Sequence, residues 1–244
     1  YFGVMPDWNP AEMIGKKPKK LALSMYEELI TNSVWAEQRY NYGYRNIKNK
    51  KLMKTFYGTP YIDIRTDFNS WIPFNIDKKI GEKLVNFYLK KLKKYKHFHD
   101  KIEFEIIFSS YNFSTKRKLK ELTKYNFEYK ELNKILENLK TVNLTSIKQH
   151  DKDYEKIMYL DKKIETISKS KLNNVEKINL FLKNCKKFGT LPFAGLARCG
   201  FISMDILNSM VNEKILTSND KENFLKSLNT ITNQITNDYA NFSK

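Results

Sequence analysis

Arginine is scarce in this chain. Of 44 basic residues only Arg39, Arg45, Arg65, Arg117 and Arg198 are arginines; the rest are lysines, and the formal net charge is +17. A nucleic-acid surface gathers its cations on one face and uses guanidinium forks to grip phosphate. Here the lysines run along amphipathic stretches such as 90–96, which reads as solvated helix faces, so no nucleic-acid partner is expected. A basic nucleic-acid binder remains the remote alternative.

Cysteine is nearly absent as well. Cys185 and Cys199 are too few to frame a small secreted fold and too far apart for a redox pair, so two reduced thiols are expected. No run of about 18 apolar residues is present, and no charged-then-apolar leader opens the chain. A cytoplasmic protein with no membrane partner is the expectation. The start at Tyr1, inside an apolar stretch, reads as a cut from a longer polypeptide.

Motifs for chemistry are missing too. There is no P-loop, no Gly-x-Ser-x-Gly elbow and no Gly-x-Gly-x-x-Gly, so neither a nucleophile nor an ATP site is expected within these 244 residues. His97-x-His99 with Asp100 and Glu103 lacks a third ligand at a diagnostic spacing, and His150 is weaker still. No metal site is expected.

What is present is unevenly spread. Residues 1–75 and 188–205 are dense in Gly, Pro, Trp and Arg, whereas the middle is lysine-rich and periodic. Asn9, Pro10 and Glu12 spell a helix start running to Gly15. Apolar spacing predicts helices over 20–40, 80–92, 116–139, 146–168, 174–188, 197–211 and 221–239, the last with Asn219 and Glu222 as a capping pair. Alternation predicts a strand at 61–65 and a firmer one at Ile102, Phe104, Ile106 and Phe108. The fold class is therefore α+β, predominantly α-helical with a small β-sheet.

Three stretches hold residues a core does not require. In Asp7 to Gly15, capping explains Asn9, Pro10 and Glu12 but leaves Asp7 and Trp8 unaccounted for. In Gly58 to Ser70, a strand would put Asp63 and Arg65 on one face, where they could take the ammonium and carboxylate of a free amino acid. An ion pair on a solvated edge is the plain alternative. In Phe188 to Phe201, two glycines and a proline suggest a shaped loop entering a helix, with Arg198 near free N–H groups that could meet a phosphoryl group. Close helix packing would explain those glycines equally well.

Taken together, Asp7-Trp8-Asn9-Pro10-Ala11-Glu12-Met13-Ile14-Gly15, the run from Ile30-Thr31 through Trp35 to Tyr42-Gly43-Tyr44-Arg45, Pro60-Tyr61-Ile62-Asp63-Ile64-Arg65 through Phe68-Asn69-Ser70, and Gly189-Thr190-Leu191-Pro192-Phe193-Ala194-Gly195-Leu196-Ala197-Arg198 resemble the central region of bacterial phosphoenolpyruvate synthase-like phosphotransferases. The lysine-rich middle matches poorly. Within that family the chain looks most like the L-glutamine kinases of capsule phosphoramidate synthesis. The resemblance implies a three-domain enzyme in which an ATP-grasp domain, holding ATP and Mg²⁺, and a mobile phosphohistidine domain are both absent from these residues. Residues 1–244 would be the central acceptor domain, and L-glutamine the acceptor, phosphorylated on its amide nitrogen with AMP and phosphate released. It further implies substrate binding by Arg65, Asp63, Asn69, Ser70, Asp7 and Arg45, and a catalytic role for Arg198 facing the phosphoryl group. A non-catalytic small-molecule binding module is the alternative.

Overall fold

The computed structural model describes residues 1–3 and 9–242. Asp7 and Trp8 lie outside the described residues. The chain is mainly helical with one three-stranded antiparallel sheet, in agreement with the expected α+β class. The sheet order is β1 (Phe2–Gly3), β3 (Thr59–Asp63), β2 (Met53–Phe56), with Phe2 opposite Asp63 and Met53 opposite Ile62. Strands β2 and β3 form a hairpin closed by Tyr57 and Gly58, both at positive φ, the two-residue turn whose twist suits a hairpin.

The N-terminal helices follow the sequence closely. In α1 (Pro10–Met13), Asn9 Oδ1 accepts from Ala11 N at 3.0 Å and Glu12 N at 3.3 Å, and Gly15 takes the left-handed backbone that ends the run. The expected helix over 20–40 is broken into α2 (Lys20–Tyr26), a π-helical turn at Glu27–Thr31, and α3 (Val34–Asn41).

The strand expected at 61–65 ends two residues early. Asp63 is the N-cap of α4 (Ile64–Ser70), its Oδ1 accepting from Thr66 N at 3.1 Å, so Arg65 belongs to a helix. Helix α5 (Lys78–Lys94) buries Ile80, Leu84, Val85, Tyr88 and Leu92 along one stripe. The firmer strand is not there at all: Ile102–Ile106 is a π-helical turn. Ile102 and Ile106 are four apart, so the same residues suit a helix face. What settles the matter is Glu103, buried by an ion pair with Arg198 that periodicity cannot anticipate.

After α6 (Thr115–Lys120), the expected helices 116–139 and 146–168 prove to be mostly one helix of 40 residues, α7 (Tyr129–Ser168). No glycine or proline interrupts that span, so nothing stops propagation. Its first half seals the core with Leu132, Ile135, Leu139 and Val142 around Trp35, Tyr42, Tyr44, Phe68 and Trp71.

The supposed loop 188–196 is also helical. Helix α8 (Asn174–Asn184), a π-helical turn at Cys185–Thr190 and α9 (Leu191–Asn212) run on without a break. A proline inside a regular helix collides with the carbonyl four residues back; for Pro192 that carbonyl is Phe188's, inside the widened π turn, where the ladder has already shifted register. The combined run 174–212 is long and apolar enough to cross a bilayer, which inspection for unbroken apolar runs does not reveal. Here α9 lies along α7 and carries the buried Arg198 at its centre. The chain closes with α10 (Ser218–Ser227) and α11 (Ile231–Phe242), and the cap of α10 is Thr217 with Asp220, not Asn219 with Glu222.

Candidate functional site

Three π-helical turns lead to one place. Ile30 from the first, Glu103 from the second and Thr190 from the third all line a cavity of about 380 Å³, completed by Met13, Gln38, Arg39, Phe193, Ala194, Ala197, Arg198 and Phe201. π turns cost regular hydrogen bonding and recur at functional sites. The volume suits a small molecule.

The apolar wall comes from α9, where Phe193, Ala194, Ala197 and Phe201 recur at helical spacing. The polar floor comes from α3, the 102–106 turn and Arg198, and it is deeply buried: Gln38 is 1% exposed, Arg198 2%, Arg39 3% and Glu103 7%. Both guanidinium groups lie over the indole of Trp71, Arg39 Cζ at 3.3 Å from the ring centre and Arg198 Cζ at 4.7 Å. Flat, weakly hydrated cations suit such aromatic stacking better than an ammonium does.

Arg198 is held on several sides. Its Nε and Nη2 donate to the Tyr44 hydroxyl at 3.1 and 2.7 Å, Nη2 also donates to Ser109 O at 2.8 Å, and Nη1 pairs with Glu103 Oε1. The Tyr44 hydroxyl in turn donates to Ser109 O. Burial pushes the Tyr44 phenol up and Arg198 partly offsets it, so the hydroxyl stays protonated and available as that donor. Buried ion pairs are weak stabilisers because desolvation offsets their attraction. A cluster of this kind on a cavity floor is therefore a candidate site on physical grounds.

A second, more polar cavity of about 280 Å³ includes Lys91, Lys118, Asn112 and Asp205 in its lining, and Glu103 belongs to both linings. Asp205 Oδ2 accepts from Ser110 Oγ at 2.8 Å and Asn112 Nδ2 at 2.7 Å.

No family model matches the chain, and neither a curated protein nor a solved structure does.

Of the residues expected to bind substrate or act in catalysis, Arg198 alone lines the 380 Å³ cavity. It does not sit at a helix start beside free N–H groups, because the helix runs straight through it. Asp63 and Arg65 do not share a strand face: Asp63 caps α4, and Arg65 is exposed with Nη2 donating to Asn86 Oδ1 at 3.1 Å. Asn69 Nδ2 donates to Arg65 O at 2.8 Å and Ser70 Oγ to Asp67 O at 2.6 Å, so both serve their own helix. Arg45 is half-buried, donates to Ile76 O at 3.3 Å, and packs over Gly81, where a Cβ would strike its guanidinium. Asp7 lies outside the described residues.

Gln38, Arg39 and Glu103 were missed. Gln38 and Arg39 fall inside a stretch already marked as distinctive, and Arg39 is one of five arginines, so rarity could have found it. Glu103 was masked by the alternation around it.

Proposed function

We propose that this chain is the acceptor-binding domain of an ATP-dependent phosphotransferase of the phosphoenolpyruvate synthase-like kind, with L-glutamine as acceptor. The observation that carries the reading is the cavity whose buried floor bears Arg39, Arg198 and Glu103, fixed charges of both signs, beneath an apolar wall from α9. L-Glutamine has that character: a carboxylate for a cation, an amide whose N–H groups suit a buried carboxylate, and an apolar stem. The resemblance supplies the rest of the reaction. ATP and Mg²⁺ belong to a separate domain, a phosphohistidine on a mobile domain delivers the phosphoryl group in the cytoplasm, and the acceptor domain contributes orientation and exclusion of water. In this reading Arg198 is a positioning residue. Its contacts with Tyr44, Ser109 and Glu103 hold the floor, and Arg39 is the cation better placed for the acceptor's carboxylate.

Titration calorimetry with L-glutamine, D-glutamine and pyruvate tests the proposal. L-Glutamine should bind, modestly because closing domains add contacts, and Ala197→Leu, which fills the cavity without touching a charge, should abolish binding. Pyruvate binding in place of glutamine, or glutamine binding that survives Ala197→Leu, would overturn it.

A further inference from the structure

Two side chains on the cavity floor, Gln38 and Glu103, leave hydrogen-bonding groups unmet, one of each polarity. Gln38 Oε1 accepts from Arg39 Nη1 at 3.1 Å. A guanidinium has donors only, so the end it meets must be the carbonyl oxygen, which settles how the amide is turned. The two N–H groups of Gln38 Nε2 are therefore directed elsewhere, buried and without a hydrogen-bond partner among the described residues, on a side chain that lines the cavity. Glu103 is the complement. Arg198 engages its Oε1, while its Oε2 is buried and accepts no hydrogen bond among the described residues.

Buried polar groups are almost always satisfied, because leaving one unmade is costly. A ligand that meets both must offer an acceptor and a donor. We infer that Gln38 and Glu103 together read a primary carboxamide, with Gln38 Nε2 donating to its carbonyl oxygen and Glu103 Oε2 accepting from its N–H. The inference rests on reading the cavity as the acceptor site. An isosteric carboxylate would satisfy Gln38 only and set a second negative charge against Glu103; an ammonium would satisfy Glu103 only. The arginines do not reverse this preference, because Arg198 is committed to Tyr44, Ser109 and Glu103, and Arg39, whose Nη1 donates to Gln38, is taken up in the reading above by the acceptor's α-carboxylate.

The test compares L-glutamine with L-glutamate by calorimetry, and propionamide with propionate by their effect on the Gln38 side-chain amide resonance. The wild-type chain should prefer glutamine about ten- to a hundredfold, the value of one charge-assisted hydrogen bond. Gln38→Met keeps the volume, removes the donor and should weaken glutamine binding about tenfold. Glu103→Gln replaces an acceptor with a donor and should bring the glutamine-to-glutamate ratio to near one or below. Circular dichroism checks that each variant folds, and Gln38→Met decides alone if Glu103→Gln does not. An unchanged ratio in folded Glu103→Gln, or undiminished glutamine binding by Gln38→Met, would overturn the inference. If glutamine fails to bind but propionamide, unlike propionate, shifts the Gln38 resonance, the amino-acid reading falls and the carboxamide reading stands. Silence from both probes overturns both.

Discussion

The cavity floor and the start of α4 each bring an arginine and an acid close together, Arg198 with Glu103 and Arg65 with Asp63, and the fold treats the two pairs in opposite ways. Arg198 and Glu103 come from distant parts of the chain, meet below 10% exposure, and are braced by Tyr44, Ser109 and Trp71. Asp63 and Arg65 are two residues apart, yet one caps its own helix and the other reaches outward to Asn86. Sequence proximity is no guide to chemical partnership. Where a guanidinium is buried against aromatics, its flat shape and several of its donors are in use, and lysine could not replace it. At an exposed helix surface the same residue makes one hydrogen bond that lysine could forgo.

The largest expected effect is at the floor. Arg198→Met should destabilise the domain by about 3–5 kcal/mol, because it leaves Glu103 as an uncompensated buried charge and strips donors from Tyr44 and Ser109 O. Urea unfolding measures it. Adding Glu103→Leu should restore much of the loss, since removing both partners of a buried pair is far cheaper than removing one. A double variant no better than the single would show that the floor is held by the arginine's packing and not by its charge.

Next comes the wall of the cavity, where the glycines separate packing from conformational freedom. A Cβ on Gly195 would run into the Asp153 carboxylate and the Tyr42 ring, whereas one on Gly200 would meet nothing within 4 Å. Tyr42 and Asp153 are themselves locked, the hydroxyl donating to Asp153 Oδ2 at 3.0 Å. Gly195→Ala should cost about 1–3 kcal/mol through overpacking. Gly200→Ala, on the exposed side of the same helix, should gain about 0.5–1 kcal/mol. Thermal unfolding of the pair distinguishes the continuous helix seen here from the loop that Gly189, Pro192 and Gly195 suggest in sequence.

The fold was legible wherever one local rule acted alone. The Asn9 cap, the stripe of α5 and the helical, small-sheet class can be read from spacing and capping chemistry. Reading failed where tertiary contact overrode pattern. Ile102 to Phe108 alternates like a strand, but Glu103 is drawn inward to Arg198 and the backbone takes a π turn instead. Pro192 and Gly195 punctuate like a loop, yet the preceding π turn makes room for the proline and the missing Cβ lets α9 close on Tyr42 and Asp153. At the site, Arg198 was legible through rarity and Thr190 through its motif. Gln38 was not, because nothing in sequence says that the amide of one glutamine will be turned by the arginine beside it.

The smallest effects belong to the first turn of α4. Asp63→Ala removes the cap on Thr66 N and should cost about 1 kcal/mol, within the range of roughly 0.5–2 kcal/mol for lost N-caps. It should leave ligand binding unchanged, because Asp63 does not line the cavity. Arg65→Lys should move stability by less than about 0.5 kcal/mol, as exposed substitutions away from caps and cores usually do. A lysine ammonium can replace the lost donor to Asn86 or leave that amide to water at little cost, since the pair is solvated. Calorimetry on folded Arg65→Lys decides whether the α4 surface is part of the site. Glutamine affinity equal to wild type confines recognition to the cavity floor. A loss of tenfold or more would mean that a ligand bridges from the cavity to α4, and that the two arginines so differently housed in this chain act on one molecule after all.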